Sequence, residues 1–156
     1  NRTGRMFTGD RSGDWLYAAL HRAGFANQAT SIDRADGLVL HGAWVTSPVK
    51  CAPPANKPTP AERDACRPFI DAELELLDDV RVVVALGAFG FAEAARVLGF
   101  TGRPKFGHGA EAVAPDGRVL LGSYHVSQQN TFTGRLTEAM LDDVFARARS
   151  LAGRGE

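Results

Sequence analysis

The sequence has few cysteines, no excess charge and no long apolar run, and each of these shortages argues against a class of protein or site. Its two cysteines cannot alone complete a structural zinc site or an iron–sulfur cluster, because such sites usually take four protein ligands. The net charge is zero, which argues against tight non-specific coating of DNA but leaves a local DNA site open. No apolar run approaches the roughly 20 residues that a transmembrane helix needs, so we expect no membrane-spanning segment.

Two motifs of common α/β enzymes are also missing. Neither a GxGxxG phosphate loop nor a GxSxG nucleophile elbow occurs in the sequence. A nucleotide-binding enzyme or a serine hydrolase on an α/β framework would be expected to carry one of them. Their absence makes both classes poor candidates for this chain.

The length and the composition indicate one globular domain. A chain of 156 residues suits a single core. Hydrophobic residues make up 44% and charged residues 23%, which is typical of a soluble protein. No signal peptide is evident and two cysteines fit a reducing compartment, so we expect a cytoplasmic location. The chain opens with Asn1 rather than Met, and we expect the natural protein to begin further upstream.

Predicted strands and helices alternate along the chain. Strands are predicted over 38–46, 80–87 and 117–127, and helices over 12–24 with Ser12 as cap, 60–76, 88–99 and 133–153. This alternation predicts a parallel sheet with helices on both faces. Sites in such folds form in loops beyond the carboxyl ends of the strands. We therefore expect three polar loops to face each other: residues 2–10, the loop after Thr46 and the loop after Tyr124.

The third segment contains a strong helix start. Thr59 is a candidate N-cap, Pro60 suits the first helical position and Glu62 completes a capping box. Cys66 then falls in the second turn. One apolar face is predicted for this helix, made by Ala65, Phe69, Ala72 and Leu76.

A stiff loop separates the two cysteines, since five of the eight prolines lie between residues 48 and 60. Cys51 and Cys66 are either two unrelated buried thiols or ligands of a metal. A preorganised loop favours the second interpretation, because its sulfurs lose little entropy when a metal binds. A complete metal site would need two further ligands from upstream residues.

The loop after the last predicted strand is unusually polar. His125 leaves an apolar strand and enters a run of hydroxyl and amide side chains, so it is either structural or catalytic. Such a run can bind phosphates or base edges, or it can simply cap the last helix. Arg135 adds a cation, and the backbone amides of a helix N-terminus favour anions.

Three further residues each allow two interpretations. Asp10 is either a capping or turn aspartate or a functional carboxylate, and Asp14 is a nearby alternative. Phe7 is either a core residue or an exposed ring at the site. Asn56 is either a turn residue or a held amide, whose donor and acceptor suit the edge of a pyrimidine.

Five pieces of the sequence together resemble the uracil-DNA glycosylase superfamily, and in particular its iron–sulfur family 5 members from actinobacteria. These pieces are "GRMFTGD", "VKCAPPANKP", Cys66, "VALG" and "HVSQQNTFTGRLT". Each is weak alone, but all five occur in order, and the resemblance extends over nearly the whole chain. It implies a three-layer α/β/α domain around a four-stranded parallel sheet. It also implies that residues 1–156 form a single glycosylase domain that lacks its N-terminal part.

The same resemblance implies a structural [4Fe-4S] cluster. Cys51 and Cys66 match the last two of its four cysteine ligands. The other two, together with the first strand, would lie upstream of Asn1. A stiff loop is then expected, because one end holds the cluster and its middle presents Asn56 to DNA.

The resemblance further implies that the enzyme initiates base excision repair. It would flip a damaged nucleotide out of double-stranded DNA and hydrolyse its N-glycosidic bond, leaving an abasic site. Phe7 would stack on the base, Asn56 would position it, His125 would stabilise the departing base and Asp10 would orient water. Residues expected to grip DNA are Lys57, Ser127, Gln129, Asn130 and Arg135. We expect a monomer, with no membrane partner.

One departure from the family pattern bears on base choice. Related families carry an asparagine that reads uracil four residues before the cluster cysteine, whereas this chain has Ser47. A short hydroxyl cannot make that bidentate contact. We therefore expect action on uracil and on other bases such as hypoxanthine and hydroxymethyluracil. The alternative is a catalytically inactive iron–sulfur module of the same fold that only binds DNA.

Overall fold

The computed structural model describes residues 3–153, apart from the side chain of Asn56. Its elements in chain order are α1 (Arg11–Arg22), a 3₁₀ turn (Pro54–Asn56), α2 (Pro60–Glu75), β1 (Val82–Leu86), α3 (Gly87–Val97), β2 (Glu111–Val113), β3 (Val119–Ser123), α4 (Gln128–Phe132) and α5 (Glu138–Ala152). The predicted order of strand, helix, strand and helix is present from β1 to α5, but an additional strand, β2, precedes β3 and an additional short helix, α4, precedes α5.

Within residues 3–153 the sheet has three strands in the order β1-β3-β2. β1 and β3 are parallel and in register from Val82 opposite Val119 to Leu86 opposite Ser123. β2 lies antiparallel on the other side of β3. The fold is thus α/β with a mixed sheet, and the predicted sheet of four parallel strands is not confirmed.

The strand predicted over 38–46 is wrong for the chain as described. The segment forms only an isolated bridge, in which Leu40 lies opposite Ala26. Its amides bond elsewhere: the Val39 amide donates to Asn27 Oδ1, and the His41 amide donates to the Phe25 carbonyl. An apolar run does not become a strand unless a neighbour offers a ladder of backbone partners, and here a local loop takes that place.

Helices lie on both faces of the sheet. Alternate residues of β3 point to opposite faces. On one face, Leu120 is buried with Phe91 and Ala95 of α3. On the other, Leu121 is buried with Val144 of α5. The α1 helix packs beside α5 and completes the second helical layer, where the core is formed by Leu16, Leu20, Leu141 and Phe145. The three-layer arrangement agrees with the expectation.

The helix starts are set by side-chain caps. Thr59 and Glu62 form the predicted capping box of α2. The cap of α1 is Asp10 and not Ser12, because the Asp10 side chain accepts a bond from the Gly13 amide. The last predicted helix, 133–153, begins later than expected, as α5 after its own cap Thr137, and residues 128–132 of the predicted polar loop form a separate short helix, α4.

The apolar face predicted for α2 is not buried. Phe69 is 59% exposed and Leu76 is 82% exposed, while the buried residue of this helix is Ile70. The periodicity correctly identified an apolar stripe, but within the described residues nothing covers it. None of the described helices is both long enough and apolar enough to cross a membrane.

Candidate active site

The candidate site lies at the carboxyl ends of the two parallel strands. β3 ends at Ser123, two residues before His125, and β1 ends beside it at Leu86. The chain then turns through Gly87, which has a φ of +84° and lies directly beneath the histidine. A methyl group built on Gly87 would approach His125 Cβ to 3.2 Å. Glycine is needed here for both its backbone angle and its missing side chain.

His125 is partly buried, and burial lowers the pKa of its imidazole below the usual value. The ring is therefore uncharged at neutral pH and has one N–H to donate. The backbone at this position is also held, because Asn130 Nδ2 donates to the His125 carbonyl at 2.9 Å. These contacts favour a histidine with a set orientation over a mobile surface residue.

Phe7 is the partner of His125. The centroids of the two rings are 5.9 Å apart, with their planes inclined at 48°. Phe7 has a φ of +49°, which is uncommon for a residue other than glycine and indicates a constrained backbone. α1 supplies the constraint, since a methyl group on Gly13 would lie only 1.9 Å from the Phe7 carbonyl oxygen. Two of the three predicted site loops therefore meet at these two rings.

A cluster that the sequence did not reveal anchors the Phe7 loop. Arg5 Nη2 bonds to Asp36 Oδ2 at 2.6 Å, and Arg5 Nε faces the hydroxyls of Thr8 and Ser31 at 3.1 and 3.2 Å. The Arg5 guanidinium and three backbone amides hold the pKa of Asp36 well below its usual range. In addition, Tyr17 Oη donates to the Met6 carbonyl at 2.9 Å. In the sequence, the arginine of the "GRMF" motif was the one feature that could have indicated this cluster.

Asp10 performs the capping role that its position suggested. Its Oδ1 accepts from the Gly13 amide at 2.8 Å, and the residue is exposed. A carboxylate has a second oxygen, so capping is compatible with a role in orienting water. Asp14 is exposed in the first turn of the same helix. The start of α1 also reaches α4, because the Arg11 guanidinium lies 4.5 Å from the centroid of the Phe132 ring.

The polar loop after His125 forms α4, and two of its predicted DNA-contacting residues serve the loop itself. Ser127 caps α4, and Asn130 holds the His125 carbonyl. Gln129 is exposed. Arg135 is exposed and lies 4.8 Å from the centroid of the Tyr124 ring. Of the four DNA-contacting residues predicted in this loop, Gln129 and Arg135 are therefore the exposed ones.

The two cysteines on either side of the proline loop differ in their exposure to solvent. Cys51 is exposed, whereas Cys66 is partly buried and its sulfur accepts a bond from the Lys50 amide at 3.3 Å. Lys57 is exposed. Ala55 has a φ of +54°, so the turn between the prolines is tight. Asn56 lies in that turn, but its predicted role depends on a side chain outside the described part of the structure.

The start of the proline loop is held by a polar cluster. The Ser47 hydroxyl accepts from the Val49 amide at 3.3 Å, so it forms a local turn. Lys50 Nζ pairs with Glu73 of α2 at 2.6 Å, and this pairing lowers the pKa of Glu73 against the opposing effect of burial. Within residues 3–153, no hydrogen bond or aromatic contact joins the proline loop to His125. The third predicted site loop is therefore not joined to the other two by such contacts.

Comparisons with known proteins show which family the chain belongs to. The family model described as the uracil DNA glycosylase superfamily matches residues 1–149. The type-5 uracil-DNA glycosylase of Mycobacterium bovis is 58% identical over 98% of the chain, and that of Mycobacterium leprae is 56% identical over the same share. The corresponding protein of Thermus thermophilus is 50% identical over 98% of the chain. The matches cover 58%, 68% and 70% of these relatives, so the chain spans well under two thirds of the Mycobacterium bovis protein.

Proposed function

The chain belongs to the uracil DNA glycosylase superfamily, and from this we propose that it is the catalytic part of a cytoplasmic DNA repair enzyme. The enzyme hydrolyses the N-glycosidic bond of uracil in DNA and leaves an abasic site. The observation that carries the proposal is the pair of Phe7 and His125, 5.9 Å apart at the carboxyl ends of β1 and β3. The relatives at 50–58% identity, which are named type-5 uracil-DNA glycosylases, support it.

The chemistry follows from the state of His125. A flipped-out base stacks on the Phe7 ring, and the bond between the sugar C1′ and the base nitrogen breaks. The electron pair of that bond goes to the base. A neutral imidazole then donates its N–H to the developing negative charge, as the lowered pKa of His125 allows. Water adds to C1′ and releases a proton to solvent, from which the departing base anion is protonated, and Asp10 orients this water and offsets the positive charge on the sugar.

DNA is bound around this centre by exposed groups. Arg135 and Lys57 supply positive charge for phosphates, and the side chain of Gln129 can donate and accept hydrogen bonds. Ser127 and Asn130 act by shaping the loop. Phe132 is 64% exposed at the end of α4 and is placed to wedge into the gap left by the flipped nucleotide. The enzyme acts on double-stranded DNA as a monomer.

Base choice is relaxed in this proposal. Asn56 positions the base, and Ser47 stands where related families read uracil. Its hydroxyl accepts a bond from the Val49 amide, and its single oxygen cannot present a donor and an acceptor side by side to a base as an asparagine amide does. Hypoxanthine and hydroxymethyluracil are then also substrates. A uracil-to-hypoxanthine rate ratio above about 10⁴, which a strictly read hydrogen-bonding site can reach, would contradict this proposal.

The two thiols are suited to half of a [4Fe-4S] site. Cys66 Sγ accepts an N–H bond from Lys50, as sulfurs of cluster ligands commonly do, and Cys51 is exposed next to Lys50. No group of three or more His, Cys, Asp or Glu side chains suited to a metal occurs within the described residues. Two further cysteines would come from upstream of Asn1. When bound, the cluster stabilises the loop and takes no part in hydrolysis. Loss of visible absorbance in the full-length Cys66→Ser variant, but not in Ser47→Ala, tests this role.

The complete domain has a further strand in this proposal. β1 pairs only with β3 among the described strands, so its other edge is available to a parallel neighbour from upstream residues. This addition would give a sheet of four strands. Hydrogen exchange provides the test: the β1 amides directed away from β3 should be protected in the full-length protein and not in residues 1–156.

The experiment that tests the function uses the full-length protein and end-labelled duplexes with one uracil or one hypoxanthine. After alkali treatment, strand cleavage at uracil supports the enzyme, and cleavage at both bases supports relaxed choice. If neither duplex is cleaved by protein that shows cluster absorbance, the chain is part of an inactive DNA-binding module. This second candidate is disfavoured by the relatives at 50–58% identity, which are named as glycosylases.

A further inference from the structure

The ring of His108 bonds through both of its nitrogens. Nδ1 lies 3.1 Å from the backbone nitrogen of Tyr124, and Nε2 lies 3.1 Å from the Met140 carbonyl oxygen. A backbone N–H can only donate and a carbonyl can only accept. The proton of the ring must therefore be on Nε2, while Nδ1 accepts. Reversing the tautomer would set two donors against each other at Tyr124.

These two bonds join three parts of the structure at one point. His108 is in the segment before β2, Tyr124 lies between the end of β3 and His125, and Met140 is in the first turn of α5. The Tyr124 N–H that donates to His108 belongs to the peptide between Ser123 and Tyr124, at the end of β3 and one peptide before His125. The side chain of His108 thus holds the backbone immediately before the residue that carries the candidate catalytic ring.

The segment that carries His108 is itself fixed against β3. The Gly109 amide donates to the Gly122 carbonyl at 2.8 Å, and the Gly122 amide donates to the Ala110 carbonyl at 2.8 Å. The approach is so close that a methyl group on Gly122 would lie 2.5 Å from the Gly107 carbonyl oxygen. A ring mounted on this segment has little freedom to move.

Ring packing restrains Tyr124 as well. The centroids of the His108 and Tyr124 rings are 5.1 Å apart, and Phe106 lies 6.3 Å from Tyr124. The Arg135 guanidinium lies 4.8 Å from the centroid of the Tyr124 ring. With its amide held by His108 and its side chain packed between rings and a cation, Tyr124 has one favourable position.

We propose that His108 is a positioning residue for His125, acting through its bond to the Tyr124 amide. This inference rests on the proposed function, since it concerns the same site. Without the acceptor at Nδ1, the Tyr124 peptide can rotate and carry the His125 ring away from its place beside Phe7. Misplacement by about 1 Å can cost on the order of 100-fold in rate.

Three variants of the full-length protein distinguish the effects of the two hydrogen bonds made by His108. His108→Asn keeps an acceptor close to the position of Nδ1 and loses the bond to Met140. His108→Gln reaches the position of Nε2 and keeps the bond to Met140, but it loses the acceptor for Tyr124. His108→Phe keeps a ring and loses both bonds. His21→Gln, an exposed histidine in the last turn of α1, is the surface control.

The single-turnover rate on a uracil duplex and the affinity for that duplex are measured for each variant, together with the melting temperature. We expect His108→Gln and His108→Phe to lose about 10- to 100-fold in rate, with affinity changed less than threefold. His108→Asn should be at least several-fold faster than His108→Gln. Equal rates for Asn and Gln, or rate losses that simply follow the melting temperatures, would overturn the proposal.

A spectroscopic measurement tests the geometry independently of activity. Long-range ¹⁵N–¹H NMR of the wild-type histidine rings should show the His108 proton on Nε2, and a proton on Nδ1 would overturn the proposal. The His125 ring signals should shift in His108→Gln and much less in His108→Asn. If the wild-type protein does not cleave uracil DNA, the proposed function fails, while these signals still decide whether His108 positions His125.

Discussion

Replacing Gly87 with alanine tests whether the space under His125 matters for the reaction. Two effects combine at this position. The φ of +84° is unfavourable for any residue with a side chain, at a cost of about 1–2 kcal/mol. The new methyl group would also lie 3.2 Å from His125 Cβ, so the histidine must give way by a few tenths of an ångström. The first effect lowers stability, and the second lowers the rate.

Gly117 provides a matched control for the first effect alone. It has a φ of +89° in the turn between β2 and β3, and a methyl group there would meet nothing within 4 Å. Both alanine variants should therefore lose about 1–2 kcal/mol of folding free energy, which corresponds to a fall in melting temperature of roughly 2–8 °C for a chain of this size. Only Gly87→Ala should disturb the site.

The assay is single-turnover cleavage of a uracil duplex at a temperature where both variants are fully folded. Gly87→Ala should be about 3- to 10-fold slower than wild type, since the expected displacement is a fraction of the 1 Å that can cost 100-fold. Gly117→Ala should retain the wild-type rate. Equal rates for the two variants would refute the inference that close contact with Gly87 sets the position of His125.

Three further predictions concern the same site. His125→Ala should lower the single-turnover rate by about 100- to 1,000-fold with little change in DNA affinity, and a loss of less than about threefold would exclude the donor role. Because burial lowers the pKa of His125 below the usual histidine value of about 6.5, its charge does not change between pH 7 and pH 8. The rate should therefore be level over that range, whereas a rate that rises on acidification there would point to the imidazolium as the donor. The pKa of Asp36 is lowered in the folded state, so its contribution to stability is present above its unfolded pKa of about 4 and is lost as the pH falls below it. In urea unfolding, the free energy of unfolding should therefore fall less steeply with decreasing pH in Asp36→Asn than in wild type.

The helices and strands whose formation depends on residues close together in the sequence were predictable. The capping box at Thr59 and Glu62 is a local pattern, and it forms as predicted. The apolar run of β1 and the helix that follows it also form. The prediction failed where the outcome depends on partners far along the chain. Residues 38–46 have a strand-like pattern, but their amides bond to the 25–27 loop, and no local signal reveals that competition.

The same contrast between local patterns and long-range contacts applies to the candidate site. The resemblance identified Phe7 and His125, which the structure brings together. It did not reveal the bond from Arg5 to Asp36, which joins residues 31 positions apart, or the bond from Tyr124 to His108. Positioning residues of this kind are recognised by what they contact. Contacts between segments far apart in the chain cannot be inferred from the sequence of either segment alone. The importance of Gly13 and Gly87 likewise lies in the backbone or ring that approaches them.

The close approach between Gly13 and the Phe7 carbonyl has a consequence for the energetics of ligand capture. The backbone that carries the Phe7 ring is seated on a core helix, and the close contact with Gly13 makes its uncommon φ part of the fold. The conformational entropy of ordering this aromatic platform is therefore lost when the protein folds and not when a base arrives. In the proposed reaction, a flipped base would then meet a surface that needs little rearrangement, so more of the stacking energy would be retained as net affinity. Folding stability and ligand affinity are in this way coupled through one glycine.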